Sequence, residues 1–303
     1  MNHFITINGK ILDVSRPIVM GIINITPDSF FTNSSKNFVE ATEKAICEGA
    51  SIIDIGGYST RPMADFVNSE EEELRVCKAL ESIRKHFPDI PISIDTFRAS
   101  VAKKVVEEFG VGIINDVSGG DLDSDMFATV AQLNVPYILT HSKGAKRWRV
   151  VFMQLNVPYI LTHSKGNPQT MQSLTDYKSV TYDVLDFFIN KLHQLRQMGV
   201  KDIIIDPGFG FAKTIPQNYE LLNNLRIFET LNCPILGGIS RKTMIFRPLG
   251  ITPDLALNGT TVLNTLLLRE GASILRVHDV KEAMEAIKLF DCFQGNFIAE
   301  NQN

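Results

Sequence analysis

The sequence has little cysteine, no long apolar run and no excess of positive charge. Its four cysteines, Cys47, Cys77, Cys233 and Cys292, are far apart and form no CxxC pair, which argues against a disulfide framework or a zinc site and favours reduced thiols in the cytoplasm. No stretch approaches the 18 apolar residues of a membrane span. Because 30 Lys and Arg face 34 Asp and Glu, for a net charge of −4, we expect no nucleic-acid or membrane partner.

Two nucleotide-binding signatures are also missing. The sequence contains no Walker loop, which argues against a nucleoside triphosphate as substrate. A doubly wound dinucleotide-binding sheet would place a glycine-rich turn after its first strand. Here the first strand runs instead into residues 24–28, NITPD. These absences disfavour the doubly wound sheet as the fold.

Short apolar runs alternate with amphipathic helical patterns along the whole chain. The runs are continuous rather than alternating, which is typical of parallel strands covered on both faces. We predict strands at 17–23, 51–55, 90–94, 111–114, 136–139, 203–205, 234–239 and 273–277. The helical patterns between them include 69–86, 98–109, 173–198, 218–231, 258–270 and 280–298. Eight strand–helix units predict an α/β fold, a single (β/α)8 TIM barrel.

The first residues precede this pattern. Residues 4–14 alternate around Asn8-Gly9, a strong two-residue turn signal, and predict an N-terminal β-hairpin that covers the bottom of the barrel. No linker rich in proline, glycine or serine divides the chain. We therefore expect one domain over residues 1–303.

One segment of the sequence is duplicated. Residues 132–144, QLNVPYILTHSKG, recur identically at 154–166, an offset of 22 residues. A two-copy repeat this short is no solenoid. We interpret 145–166 as a duplication-derived insertion and expect only one copy to serve as the fifth barrel strand. Which copy does so is left open by the sequence.

Polar residues stand at the ends of nearly all predicted strands, where a barrel opens into its active-site mouth. Asp95, Asn115 and Asp206 suit the paired donors of an aminopyrimidine, and Lys242 can donate to a carbonyl on the same ring. A second group suits a phosphate or diphosphate and comprises Asn24, Arg61, Arg276 and His278. Thr243 begins a predicted helix, a natural position for binding a carboxylate.

Seven ordered motifs carry a specific resemblance over nearly the whole chain. They are 21–30 (GIINITPDSF), 54–62 (DIGGYSTRP), 93–96 (SIDT), 114–120 (INDVSGG), 206–214 (DPGFGFAKT), 240–243 (SRKT) and 276–279 (RVHD). With these motifs the chain resembles the dihydropteroate synthases. The resemblance implies a (β/α)8 barrel that condenses 6-hydroxymethyl-7,8-dihydropterin diphosphate with p-aminobenzoate, releasing diphosphate and 7,8-dihydropteroate. It also implies a homodimer.

The resemblance assigns roles residue by residue. It implies that the pterin is held by Asp95, Asn115, Asp206, Lys242 and Arg276. It places Mg2+ on Asn24, bridging to a diphosphate that Arg61, Arg276 and His278 neutralise. The p-aminobenzoate pocket would comprise Thr60, Arg61, Pro62 and Thr243. Asn24, Lys242, Arg276 and His278 are then the expected catalytic residues.

The implied reaction is a dissociative substitution, in which diphosphate leaves a cation at the pterin methylene and the arylamine then attacks. The sequence departs from the family pattern at Thr32, where the family has a loop aspartate, and at Ala212, where it has glycine.

Two other functions remain open. A methyltransferase that uses a methylated tetrahydrofolate also holds a pterin with Asp and Asn at strand ends. Residues 24–30, residues 240–243 and the pair of Arg276 and His278 speak against it, because such a methyltransferase has no diphosphate to bind. The other alternative is a pterin-binding barrel whose turnover is impaired or lost through the duplication.

Overall fold

The computed structural model describes residues 4–25, 34–57, 67–116, 122–133, 135, 137–141, 159–163, 175–197 and 203–296. The strands are β1 Phe4–Ile7, β2 Lys10–Asp13, β3 Ile18–Asn24, β4 Ala50–Gly56, β5 Ile92–Asp95, β6 Ile113–Asp116, β7 Tyr137–His141, β8 Tyr159–His163, β9 Ile203–Asp206, β10 Leu236–Gly237 and β11 Ile274–Val277. The α-helices are α1 Ser34–Cys47, α2 Ser69–His86, α3 Ala99–Phe109, α4 Met126–Leu133, α5 Val180–Gln197, α6 Ile215–Asn223, α7 Thr243–Leu249, α8 Leu257–Arg269 and α9 Val280–Phe293. Short 3-10 helices span Leu225–Leu231 and Pro253–Leu255.

The predicted N-terminal hairpin is confirmed. β1 and β2 pair antiparallel through a turn in which Asn8 and Gly9 both have positive φ, 50° and 71°. Such a turn matches the twist of the two strands. The buried side chains of Ile5 and Ile7 belong to a small apolar cluster with Met20 of β3, so the hairpin packs against one end of the sheet.

The strands β3 to β11 form one parallel sheet that closes on itself, which confirms the TIM-barrel architecture. Its order is β10-β11-β3-β4-β5-β6-β7-β8-β9. A parallel bridge between Ile205 and Ile235 joins the two edges, and the N–H of Ile205 donates to the carbonyl of Pro234 over 2.9 Å. Closure satisfies the backbone groups that an edge strand would leave unpaired.

The expectation that only one copy of the duplicated segment enters the barrel is wrong. β7 and β8 come one from each copy and pair in parallel register from Tyr137↔Tyr159 to His141↔His163. The described barrel wall therefore has nine strands instead of eight. The physical reason is that identical copies have identical pairing preferences: β7 pairs with β6, β8 pairs with β9, and each pairs with the other. The linking residues 142–158 lie outside the described residues.

The main apolar core lies between the barrel and the helices around it. In α2 the fully buried residues Val76, Ala79, Leu80 and Ile83 recur at helical spacing and face the sheet. Asn68 caps this helix by accepting a hydrogen bond from the N–H of Glu71 over 2.8 Å. Among the described helices, none combines the length and the apolar character needed to cross a membrane.

Candidate active site

The carboxyl ends of the parallel strands gather the polar residues predicted from the sequence. Asn24 ends β3 and is exposed, whereas Asp95 at the end of β5 and Asn115, the next-to-last residue of β6, are buried. Asp206 ends β9, and Arg276 lies near the end of β11. Because all these strands run in the same direction, their ends open at one face of the barrel.

Arg276 links two carboxylates at this face. Its Nε donates to Oδ2 of Asp54 over 2.9 Å, its Nη2 donates to the same oxygen, and Nη2 lies 3.7 Å from Oδ2 of Asp95. Burial lowers the pKa of Arg276, but Asp54 and Asp95 more than offset this, and the net pKa is raised. Arg276 is therefore a permanent cation.

Asp54 contributes to the site, although the sequence assigned no role to it. It stands at a strand end in the sequence, but no role followed from that position. Its side chain is 1% exposed, and its Oδ1 has no hydrogen-bond partner among the described residues. The sequence did contain an indication of its role, because the motif at 54–62 begins with this aspartate directly after apolar strand residues.

Burial and neighbouring charges shift the proton affinity of Asp95. Burial and the negative charges of Asp54 and Asp116 together raise the pKa of Asp95 to about 7, against the opposing effect of Arg276. At neutral pH this carboxyl is thus close to half-protonated. It can accept hydrogen bonds as a carboxylate or donate one as a carboxylic acid.

Asp206 and Lys242 form the second charged group of the site. Burial raises the pKa of Asp206, while Lys242 and the N–H of Gly208, 2.8 Å from Oδ1, lower it. Burial lowers the pKa of Lys242 to about 8, against the opposing effect of Asp206. Its Nζ donates to the carbonyl of Phe209 over 2.5 Å and lies 4.4 Å from the ring centroid of Phe211.

The turn after β9 is shaped to hold Lys242. Gly210 has a φ of +79°, which favours glycine, and a Cβ there would lie 3.0 Å from Cδ of Lys242, so a larger residue would press on the lysine side chain. Lys213 is 4% exposed and donates to the carbonyls of Gly208 and Phe211. Ala212, the residue that replaces the glycine of the family pattern, has a φ of 48°. The backbone of Ala212 therefore adopts the left-handed conformation, which glycine adopts more readily than alanine.

His278 is fixed by Ser240. Oγ of Ser240 lies 2.9 Å from Nδ1 of His278 and accepts a hydrogen bond from the His278 backbone N–H over 3.2 Å. A neutral imidazole that accepts at Nδ1 carries its proton on Nε2. Arg241 and Asp279 lie beside this pair and form a bidentate ion pair at 3.0 and 2.6 Å. The ends of β10 and β11 are thereby tied together.

The expected p-aminobenzoate residues are only partly described. Thr243 is exposed and is the first residue of α7, as the sequence predicted. Thr60, Arg61 and Pro62 lie outside the described residues.

The residues on either side of 58–66 are well fixed. A Cβ on Gly57 would lie 2.4 Å from Cγ2 of Val76 in α2, and the carbonyl of Val67 accepts from Nη2 of Arg98 over 2.5 Å. Nη1 of Arg98 donates to Oε2 of Glu72, a fully buried side chain of α2. Both flanks of 58–66 are therefore attached to the same helix.

The described residues suit a magnesium ion that is held partly by the phosphates of the substrate. Among them, no group of three or more His, Cys, Asp or Glu side chains is arranged around a common point. Mg2+ commonly binds through one or two protein oxygens together with water and substrate phosphates. The exposed amide of Asn24, a hard oxygen donor at the mouth, suits that mode.

Comparison with known proteins gives a consistent result. Residues 20–278 match the family model described as "Pterin binding enzyme". The chain is 37% identical over 289 residues to the dihydropteroate synthase of Escherichia coli K12, covering 93% of this chain and 94% of that protein. The enzyme of Clostridium beijerinckii is 36% identical over 283 residues, with coverage of 91% and 94%.

Solved structures agree in fold. The Yersinia pestis dihydropteroate synthase in complex with a sulfonamide drug is 32% identical with a TM-score of 0.80, covering 96% of this chain and 99% of that chain. The Xanthomonas albilineans dihydropteroate synthase with 4-aminobenzoic acid is 31% identical with a TM-score of 0.78, with coverage of 97% and 99%.

Proposed function

We propose that this chain, which belongs to the pterin binding enzyme family and within it to the dihydropteroate synthases, condenses 6-hydroxymethyl-7,8-dihydropterin diphosphate with p-aminobenzoate. The products are 7,8-dihydropteroate and diphosphate, so the chain is a transferase of folate biosynthesis. We assign residues 1–303 to one pterin-binding barrel domain, with 145–166 as its duplication-derived insertion.

The partly buried Asp206 and Lys242 carry the proposal. A pterin ring presents an aminopyrimidine N–H edge and a ring carbonyl side by side. A buried carboxylate accepts from such donors, and a buried ammonium group donates to such a carbonyl. The pterin set of this proposal is Asp95, Asn115, Asp206, Lys242 and Arg276.

The diphosphate is assigned to the cationic part of the mouth. Arg276 and His278 lie at the end of β11, and Arg61 would join them. Arg276 keeps its charge at any working pH because Asp54 and Asp95 raise its pKa. Asn24 would hold a Mg2+ ion, which when bound neutralises charge on the departing oxygens.

We assign p-aminobenzoate, the second substrate, to the part of the barrel mouth next to the start of α7. Thr243 begins α7, where backbone N–H groups lack helical partners and suit the carboxylate of p-aminobenzoate. Thr60, Arg61 and Pro62 complete this pocket in the proposal. The arylamine would then face the pterin methylene.

The chain's own residues fit a dissociative substitution. Arg276 and His278 stabilise negative charge on the leaving diphosphate, while the carboxylates of Asp54 and Asp95 stabilise the cation left at the pterin methylene. The nitrogen of the arylamine forms the new C–N bond and loses one proton. Lys242 holds the ring during these steps and needs no proton transfer of its own.

A diphosphate-release assay tests the proposal. The full chain, both substrates and Mg2+ should release diphosphate and form dihydropteroate in equal amounts. Lys242→Ala should lose most of this activity, whereas Lys281→Ala, a change of an exposed lysine on α9, should keep it. Absence of release from the unmodified chain would refute the assignment.

A pterin-binding protein without turnover is the second candidate. The nine-strand barrel favours it, because an added strand alters the spacing of the site residues. Tight pterin binding by the unmodified chain without diphosphate release would support this candidate over the enzyme.

The homodimer and the cytoplasmic location also belong to the proposal. Exposed apolar side chains lie on the neighbouring helices α8 and α9, including Val262, Leu266, Leu289 and Phe293, which is 81% exposed. A patch of this kind is typical of a protein–protein interface. Cys47 and Cys292 are exposed thiols, which suits a reducing compartment.

A further inference from the structure

The two copies of the duplicated segment stand between two proposed pterin residues. β6 carries Asn115, which pairs with Ile138 of β7. β9 carries Asp206, which pairs with Thr162 of β8. β7 and β8 pair with each other residue for residue. Two strands, rather than one, therefore separate Asn115 from Asp206 along this side of the barrel.

The added strand changes distances in the barrel wall. Neighbouring strands lie about 4.8 Å apart, so one extra strand lengthens the wall between Asn115 and Asp206 by about that amount. Because barrel diameter grows roughly linearly with strand number, nine strands also widen the mouth by about one-eighth. The copies pair without a register shift, so the added strand does not move either residue along the barrel axis.

The other side of the barrel has no added strand. From Asp206 the wall continues through β10, which precedes Lys242, and then through β11, which carries Arg276. β3, β4 and β5 complete the path to β6. Along this part of the wall, the spacing between the strands that carry or precede Asp206, Lys242 and Arg276 is therefore the same as in an eight-strand barrel.

The charged neighbours of Asp206 differ from those of Asp95, with one exception. The charged groups that shift the pKa of Asp206 are Lys242, Arg276 and Lys213. Those that shift the pKa of Asp95 are Asp54, Arg276 and Asp116 of β6. Arg276 is common to both sets, so it bridges two halves of the site.

We propose that the inserted strand divides the pterin site and removes Asn115 from the contacts of a ring held by Asp206, Lys242 and Arg276. A planar bicyclic ring cannot stretch, and hydrogen bonds tolerate a spread of only about 0.5 Å in length. A displacement of several ångströms therefore breaks one set of contacts. This inference rests on the proposed function and narrows one part of it.

The eight-strand form of the chain provides the comparison. Deleting residues 132–153 or 145–166 gives the same 281-residue polypeptide, because the copies are identical. Binding of the dihydropterin diphosphate is measured by calorimetry without p-aminobenzoate, in the full chain and in the deletion form. Asn115→Ala should weaken binding about tenfold in the deletion form, as expected for a lost buried hydrogen-bond partner, and at most about twofold in the full chain.

Asp206→Ala is the matched control, because its partners lie on the unaltered side of the barrel. It should weaken binding equally in both forms. Equal losses for Asn115→Ala in the two forms would overturn the inference. Diphosphate release by the unmodified full chain reports on the proposed function separately, since that activity is independent of the Asn115 comparison.

A second measurement needs only the full chain. Thr140 and Thr162 are register partners in adjacent parallel strands, so the double variant Thr140→Cys/Thr162→Cys should form a disulfide under mild oxidation, detected by peptide mass spectrometry. The pair Thr140→Cys/Leu161→Cys is offset by one residue and should not, because successive residues face opposite sides of a sheet. Absence of the first crosslink would contradict the pairing of β7 with β8, and with it the inference, even if the deletion form failed to fold.

Discussion

The half-protonated state of Asp95 leads to a prediction about stability. Burial raises the pKa of Asp95 from 3.8 to about 7 in the folded chain, whereas the unfolded chain keeps the ordinary value. The folded protein therefore holds a proton between these two pH values that the unfolded chain has lost. The stability that this proton contributes is fully present below pH 4 and is lost as the pH rises through about 7.

The magnitude follows from the size of the shift. Three pH units correspond to about 4 kcal/mol, which is an upper value because Asp95 interacts with other charged groups of the site. Asp95→Asn removes the titration while keeping the shape of the side chain. Relative to the unmodified chain, the free energy of unfolding of Asp95→Asn should therefore rise by about 2–4 kcal/mol between pH 4.5 and pH 8.5.

Urea unfolding of both proteins at the two pH values measures this difference. Asp89→Asn, which changes an exposed carboxylate, is the control and should give a nearly pH-independent difference over the same range. The reasoning fails if the stability difference between Asp95→Asn and the unmodified chain is the same at both pH values.

Three further predictions concern other parts of the molecule. Ala212→Gly relieves a left-handed backbone and should raise the melting temperature by about 1–3 °C; a decrease would contradict the strain argument. Pterin affinity should fall about tenfold per pH unit above about 8 as Lys242 loses its proton, and Lys242→Arg should remove this limit; an unchanged pH profile in that variant would contradict the assignment. The double change Leu289→Glu/Phe293→Glu should convert a dimer to a monomer in analytical ultracentrifugation, whereas Phe4→Glu on the hairpin should not; a dimer that persists would place the interface elsewhere.

The sequence predicted the position of the site because of how parallel strands are buried. Strands covered on both faces appear as continuous apolar runs, so the first polar residue after each run marks the mouth of the barrel. Asp95, Asn115 and Asp206 were identified in this way. The protonation states of the two aspartates could not be predicted, because these depend on burial and on charges from other strands.

Glu72 shows a second limit of prediction from the sequence. It lies within a run of four glutamates at the start of α2, a pattern typical of a solvated helix end. In the structure it is fully buried, pairs with Arg98 and accepts a hydrogen bond from Thr96 over 2.6 Å. Its spacing of four residues from buried Val76 was the available signal. The identity of its partner, 26 residues away, required the fold.

The number of barrel strands was unpredictable for a stricter reason. Each copy of the repeat has the same side chains, so no residue preference distinguishes the copy that should pair with β6 from the copy that should pair with β9. An eight-strand barrel would leave one copy with unpaired backbone groups and an exposed apolar run, which is costly and promotes aggregation. Inserting both strands satisfies these groups and transfers the cost to the site, where the spacing between Asn115 and Asp206 increases. Stability and substrate binding therefore favour different strand numbers in this chain, and the comparison of the 303-residue and 281-residue forms measures that conflict directly.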